Sequence, residues 1–286
     1  MLCKKPYMAG NVPFGCGQCL PCRINRRRLW SWRIFLESMV SEGSSFVTLT
    51  YSPEKLPPGG SLIPKHVQDW LKRLRFRFPS RIRFFLCGEY GDQTERPHYH
   101  VVLFGVPLAE SSLQLISETW QHGFVHMGEV NQFTAQYSAG YVVKKMTGKG
   151  DSRLKGRHPE FSRQSNRPGI GALAMKVIAE TMFTAAGVAE FHKVGDVPYQ
   201  LKLGRTSIPL GRYLRAKLRE EIGMPDAFKE KIKNQFMAQR SLDMLALFTG
   251  SEDAPLSVSE AFVTSVKGRI ASLESRSKIY ESRRSL

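Results

Sequence analysis

Eight residues, Pro97-His98-Tyr99-His100-Val101-Val102-Leu103-Phe104, restrict the fold more than any other stretch. The run is rich in β-branched and aromatic side chains and ends on four apolar residues, so it reads as a strand in a covered sheet. Side chains alternate along a strand, which puts His98 and His100 on one face and Tyr99 behind them. Two imidazoles side by side at one end of an apolar strand can hold a divalent metal, although a His-x-His pair on a half-exposed strand also occurs without one.

The flanking segments carry their own periods. Leu29, Trp32, Leu36 and Val40 recur at helical spacing and predict a helix from Ile24 to Ser41. Ser45–Tyr51 reads as a strand, and Pro53, Pro57, Pro58, Gly59 and Gly60 break the chain into a loop. Val67, Trp70, Leu71, Leu74 and Phe78 predict a helix from Pro64 to Phe78, closed by Pro79. A strand follows over Ile82–Gly88, then the His-x-His strand, a helix over Leu113–Trp120, a strand over Gly123–Val130 and a helix over Phe133–Met146. The order β-α-β-β-α-β is that of the α+β, ferredoxin-like (RRM-like) arrangement, an antiparallel sheet with helices on one face. Its three near-continuously apolar strands should be central.

Four regions are expected: a cysteine-rich segment over 1–24, the core over 25–150, a basic loop and helical region over 151–250, and a linker with a tail helix over 251–286. Within the third, Lys144–Arg167 reads as a basic loop, Ala172–Ala186 as a helix, and Pro209–Arg219 as the start of a basic helix. The stretch from Val258 onward reads as a weakly helical, frayed tail.

Charge narrows the partner. The 286 residues carry 42 Lys and Arg against 25 Asp and Glu, a net charge of +17. Such an excess favours a polyanion, nucleic acid first. No apolar run approaches the ~20 residues of a membrane span, and there is no basic leader with an apolar core, so neither membrane nor secretion is expected. Arg26, Arg27 and Arg28 crowd the first turns of a predicted helix, where the dipole disfavours cations, and together with Arg163 and Arg167 they are candidate DNA contacts.

Four of the five cysteines lie near the start, as Cys3 and Cys16-x-x-Cys19-x-x-Cys22. Without a secretion signal they read as thiolate ligands, and four sulfurs suit a structural Zn²⁺. Free thiols or an iron–sulfur cluster are the alternatives, and His66 or His126 could replace Cys3. Cys87, alone in an apolar run, reads as a buried small residue.

On a helix over 133–146, Tyr137, Tyr141 and Lys144 share one face at i, i+4 and i+7. Facing a metal, that set suits attack of a phenol on a phosphodiester, with the ammonium offsetting developing charge. The competing reading is an amphipathic core helix with a snorkelling lysine. A third metal ligand is needed. Glu89 at the end of the preceding strand is the first candidate and Glu95 in the loop the second; oxygen and nitrogen donors suit Mg²⁺ or Mn²⁺.

Phe46–Tyr51, Gly88-Glu89-Tyr90-Gly91, Arg96-Pro97-His98-Tyr99-His100 and Tyr137-x-x-x-Tyr141-x-x-Lys144 together resemble the three motifs of HUH endonucleases with two tyrosines. The Cys-x-x-Cys-x-x-Cys-Arg opening and Arg167-Pro168-Gly169-Ile170-Gly171 are similar to replication initiation proteins of gokushoviruses, phages of the microvirus family. The resemblance implies a rolling-circle initiator that nicks single-stranded origin DNA, keeps a 5′-phosphotyrosine and frees a 3′-hydroxyl for a polymerase. It assigns His98 and His100 as metal ligands, Tyr137 and Tyr141 as nucleophiles, and Lys144 as their assistant. Phage origin DNA, a host helicase and a host DNA polymerase are then the expected partners, in the host cytoplasm; no phosphate-loop motif is present to drive a helicase. A relaxase- or transposase-type nuclease, or a non-catalytic zinc-bearing binder of single-stranded DNA, are the alternative readings.

Overall fold

The computed structural model describes residues 2–10, 12–91, 93–140, 151–246 and 257–284. A short hairpin, β1 (Tyr7–Ala9) and β2 (Val12–Phe14), precedes helix α1 (Leu20–Met39). Strand β3 (Ser44–Thr50), helix α2 (Pro64–Arg77), strands β4 (Arg83–Tyr90) and β5 (Pro97–Phe104), helix α3 (Glu110–Trp120), strand β6 (Val125–Glu129) and helix α4 (Gln132–Gly140) follow. After them come β7 (Phe161–Gln164), α5 (Leu173–Met182), α6 (Ala185–Val194), the hairpin β8 (Gln200–Leu203) and β9 (Thr206–Pro209), α7 (Gly211–Glu221), α8 (Asp226–Ala246) and α9 (Val258–Arg284). Two compact units result, Arg27–Ile222, and Met1–Arg26 with Gly223–Leu286.

In the first unit, five strands pair antiparallel in the order β6-β3-β5-β4-β7. The three apolar strands are central, as expected. The fifth strand, β7, falls inside the segment read as a basic loop. Its sequence Phe-Ser-Arg-Gln is short and polar, which suits an edge strand and hides it from periodicity.

Both faces of the sheet are covered, where helices on one face were expected. Val47, Leu49, Tyr99, Val101 and Leu103 pack against Val67, Trp70 and Leu74 of α2 and Ile116 and Trp120 of α3. On the opposite face, Phe46, Phe85, Val102 and Phe104 lie under Trp30, Ile34 and Phe35 of α1 and Ala135 and Ala139 of α4. From Val101 to Phe104 the strand is apolar in both phases, so each face needs its own apolar layer. Helix α1 supplies the second one.

A buried polar knot fastens α1 to the segment after β7. Glu37 accepts from Arg83 Nε at 2.5 Å and from the Gly171 amide at 2.6 Å. Arg83 also reaches the Pro168 carbonyl (2.9 Å), and Arg33 reaches that of Ile170 (2.8 Å). Gly171 has φ +84°, and a Cβ on Gly169 would stand 2.5 Å from the Tyr213 hydroxyl. The Arg167–Gly171 motif therefore has a structural basis: its glycines admit backbone to a crowded site.

The helix expected over 172–186 is two helices. Thr184 caps α6, its side chain accepting from the Gly187 amide, and a Cβ on Gly187 would clash with the Thr181 carbonyl. The segment from Val258 is no frayed tail. Phe262, Val266 and Ile270 repeat every four residues on α9 and are buried with Cys3 and with Met244 of α8. The small apolar stripe on a long polar helix is what the sequence hides.

Candidate functional site

The register of β5 against its neighbours builds the site. Glu89 on β4 pairs with His98, while Thr48 on β3 pairs with His100. Paired residues share a face, so Glu89, His98, His100 and Thr48 all lie on the α1/α4 side of the sheet. Glu89 Oε1 is 2.8 Å from His98 Nε2 and 3.0 Å from His100 Nε2. Glu89 and His100 are buried and His98 half-buried.

The other ring nitrogens are held as well. His98 Nδ1 lies 3.1 Å from the Arg96 carbonyl, which can only accept, so Nδ1 carries a proton. His100 Nδ1 lies 3.0 Å from Thr48 Oγ1. Outer hydrogen bonds of this kind orient metal-binding imidazoles and leave Nε2 facing the ion. With Nδ1–H engaged, a neutral His98 turns its Nε2 lone pair toward a carboxylate lone pair, which is repulsive unless a cation or a proton lies between. The spacing also suits an ion, because cis ligands at about 2.1 Å from an octahedral centre stand about 3.0 Å apart. Glu89, His98 and His100 thus form a group that could hold a metal, with a donor set suited to Mg²⁺ or Mn²⁺. Glu95, the other candidate ligand, is exposed and engaged with Lys155 and Arg157 instead.

Helix α4 runs over this face. Asn131 caps its first turn, accepting from the Phe133 and Thr134 amides, and Ala135 and Ala139 bring it close to the sheet. On its flank Tyr137 places its hydroxyl 3.2 Å from His100 Nε2, with its ring edge-on to Phe46 and His100. Tyr141 and Lys144 lie outside the described residues.

The candidate DNA-contacting arginines of this unit do not share a surface. Arg27 donates to the Gln136 carbonyl on α4 at 3.2 Å, and Arg28 to that of Ser207 at 3.4 Å. Arg163 pairs in register with Leu86 and so lies on the α2/α3 side, opposite the histidine pair. Arg167 is exposed, and its carbonyl accepts from Arg81. Arg26, the last residue of the second unit's N-terminal segment, is exposed as well. Sequence reasoning missed Thr48, whose role depends on the β3–β5 register, and Phe46, which stacks on the His100 ring at 5.4 Å.

In the second unit, Cys3, Cys16, Cys19 and Cys22 form a second group that could hold a metal. Cys3 and Cys19 Sγ are 3.9 Å apart, close to the edge of about 3.8 Å expected for sulfurs 2.3 Å from a tetrahedral zinc. The four cysteines suffice without His66 or His126. The Gln18 and Cys19 amides both donate to Cys16 Sγ at 3.4 Å, and these bonds pull its thiol down to about 6. Burial pushes Cys22 up to about 12. A divalent ion is what would hold such unequal thiols deprotonated together. Cys87 is buried in β4, as expected.

Residues 44–149 match a family of replication-associated proteins described by the name ORF2, a span that takes in the sheet strands β3 to β6, the Glu–His–His group and Tyr137. The chain is 33% identical over 191 residues to the replication-associated protein ORF2 of Spiroplasma virus 4, covering 59% of this chain and 58% of that protein. It is 27% identical to the replication-associated protein VP4 of Bdellovibrio phage phiMH2K, over 93% of this chain and 90% of the other. A third relative, the replication-associated protein ORF4 of Chlamydia phage 1, is 28% identical over 157 residues, or 47% of this chain and 39% of that one. No solved structure matches. The chain belongs to the ORF2 family of replication-associated proteins. No helix among the described residues is long and apolar enough to cross a membrane.

Proposed function

We propose that this protein initiates rolling-circle replication of a phage genome, cutting single-stranded origin DNA by tyrosine attack. The observation that carries the reading is the Tyr137 hydroxyl, 3.2 Å from the ring nitrogen that also faces Glu89. A phenol, two imidazoles and a carboxylate on one face of a ferredoxin-like, HUH-type sheet are the parts that this chemistry requires. The strand order and the replication-associated relatives support the same reading.

Glu89, His98 and His100 would hold Mg²⁺ or Mn²⁺, which supplies Lewis acidity toward the non-bridging oxygens of the scissile phosphate. Tyr137 gives up its phenolic proton, and its oxygen attacks phosphorus. The new bond joins that oxygen to the 5′-phosphate. The bond to the 3′-oxygen breaks, and that oxygen leaves with the electron pair and takes up a proton. The resulting ester conserves the bond energy, so attack by a 3′-hydroxyl later reseals a strand and regenerates the phenol. Tyr141 is the second nucleophile in this reading, and Lys144 offsets developing charge. Host enzymes supply strand separation and synthesis.

The test is a labelled origin oligonucleotide incubated with the protein and Mn²⁺, scored for an adduct that survives denaturation. The wild type forms it, and the double change Tyr137→Phe with Tyr141→Phe abolishes it. An adduct that persists in the double variant refutes the assignment.

A further inference from the structure

Two phenylalanines flank the candidate metal group and stand in water. Phe124 exchanges backbone hydrogen bonds with Thr50, its amide to the Thr50 carbonyl and the Thr50 amide to its carbonyl, both at 3.0 Å. This extends the β3–β6 ladder by one pair, level with His98, since Thr50 pairs with His98 on the other side. Strand alternation then puts Phe124 on the face that carries His126, Thr48 and the histidine pair, because Val125 and Met127 point into the α2/α3 core. Its side chain is 65% exposed. Phe133 lies one turn before Tyr137 on α4, on the same helix flank, and is 81% exposed. Between them the edge strand β6 carries Gly128, where an added Cβ would meet nothing closer than His126 at 3.9 Å. The margin of the site is therefore two bare rings beside an uncrowded strip of sheet edge.

Scattered exposed rings are ordinary; two on the same face, on either side of one reactive group, in a chain of net charge +17 are a surface of particular chemistry. Such a surface matches unpaired nucleobases, whose apolar faces stack on aromatic rings while the phosphates between them meet positive charge. A duplex hides those faces.

We infer that Phe124 and Phe133 are base-stacking residues, each holding one unpaired base of a single strand and together drawing the linkage between them across the metal group and Tyr137. The inference rests on the proposed nicking function and names the contacts that position its substrate. They are positioning residues, since neither reaches the reacting atoms.

The test measures binding of a labelled single-stranded oligothymidylate in EDTA, where no cutting takes place. Phe124→Ala and Phe133→Ala each weaken binding by about 5- to 150-fold, the range for loss of one stacked base, with circular dichroism unchanged. Phe→Leu at either position weakens it comparably, because leucine keeps the apolar bulk and lacks the π face. Phe→Trp restores binding and adds a fluorescence signal that the oligonucleotide quenches. An oligonucleotide with abasic sites binds the wild type and the Ala variants alike. Folded Ala variants that bind oligothymidylate as the wild type does overturn the inference, as does Leu matching Phe at both positions. The two readings fail separately: stacking variants that bind normally in a protein that still forms the adduct sink only this inference, and stacking without any adduct sinks only the nicking reaction.

Discussion

Thr48→Val isolates the outer hydrogen bond of the candidate metal group. Threonine and valine have nearly the same shape, and Thr48 is half-buried on a central strand, so the change leaves packing intact while removing the oxygen 3.0 Å from His100 Nδ1. Without it the imidazole is free to turn about its side-chain axis or to take the tautomer that puts its proton on Nε2. Either outcome competes with the ion for the nitrogen that faces Glu89. Loss of such an orienting partner costs 10- to 100-fold in metal affinity, or about 1.4–2.7 kcal/mol. The measurement is Mn²⁺ binding followed by electron paramagnetic resonance, beside the Mn²⁺ dependence of adduct formation. Both midpoints should move up by that factor, and the rate at saturating Mn²⁺ should recover to within a few-fold of wild type. Thr48→Ser, which keeps the hydroxyl, should stay near wild type. An unchanged Mn²⁺ midpoint for the valine variant would refute the reasoning, because His100 would then be held without Thr48.

Two further outcomes follow from other parts of the molecule. Removing the ion from the four-cysteine group with a chelator, or changing Cys16 to Ser, should expose residues 257–284 to protease while 27–222 stays resistant, since Cys3 shares a small core with Phe262, Val266 and Ile270 and structural zinc contributes about 10–16 kcal/mol; equal resistance with and without the chelator argues against the metal. His66 bonds the Tyr51 hydroxyl at 2.9 Å and stacks on His122 at 4.2 Å, and burial, joined by nearby cations, lowers the pKa of both rings. A histidine kept neutral on folding stabilises the protein above its unfolded value of about 6.5, and that stability is lost as pH falls through the lowered folded value. The fall in melting temperature between pH 7.5 and 5 should therefore be shallower for His66→Gln than for wild type, and parallel curves would exclude the coupling.

Much of the framework was legible because it is written in local periods. Val67, Trp70, Leu71 and Leu74 announce a helix whatever they pack on, and the central strands announce themselves by being apolar throughout. Features that lack a period were lost. Strand β7 is four mostly polar residues, and α9 buries one narrow stripe on a helix of 27. The one-sided sheet was a wrong inference from topology: strand order does not say whether α1 returns across the free face, and Ile34 and Trp30 decided that it does.

The site divides the same way. By itself the sequence determined that His98 and His100 share a face, that four cysteines cluster, and that Tyr137 follows at helical spacing from Phe133, because these depend on the pitch of a single strand, knuckle or helix. Only the tertiary structure chose Glu89 over Glu95, recruited Thr48 and set Phe124 beside His98. Those choices depend on register between strands, and a shift of one residue would turn every one of these side chains to the opposite face of the sheet.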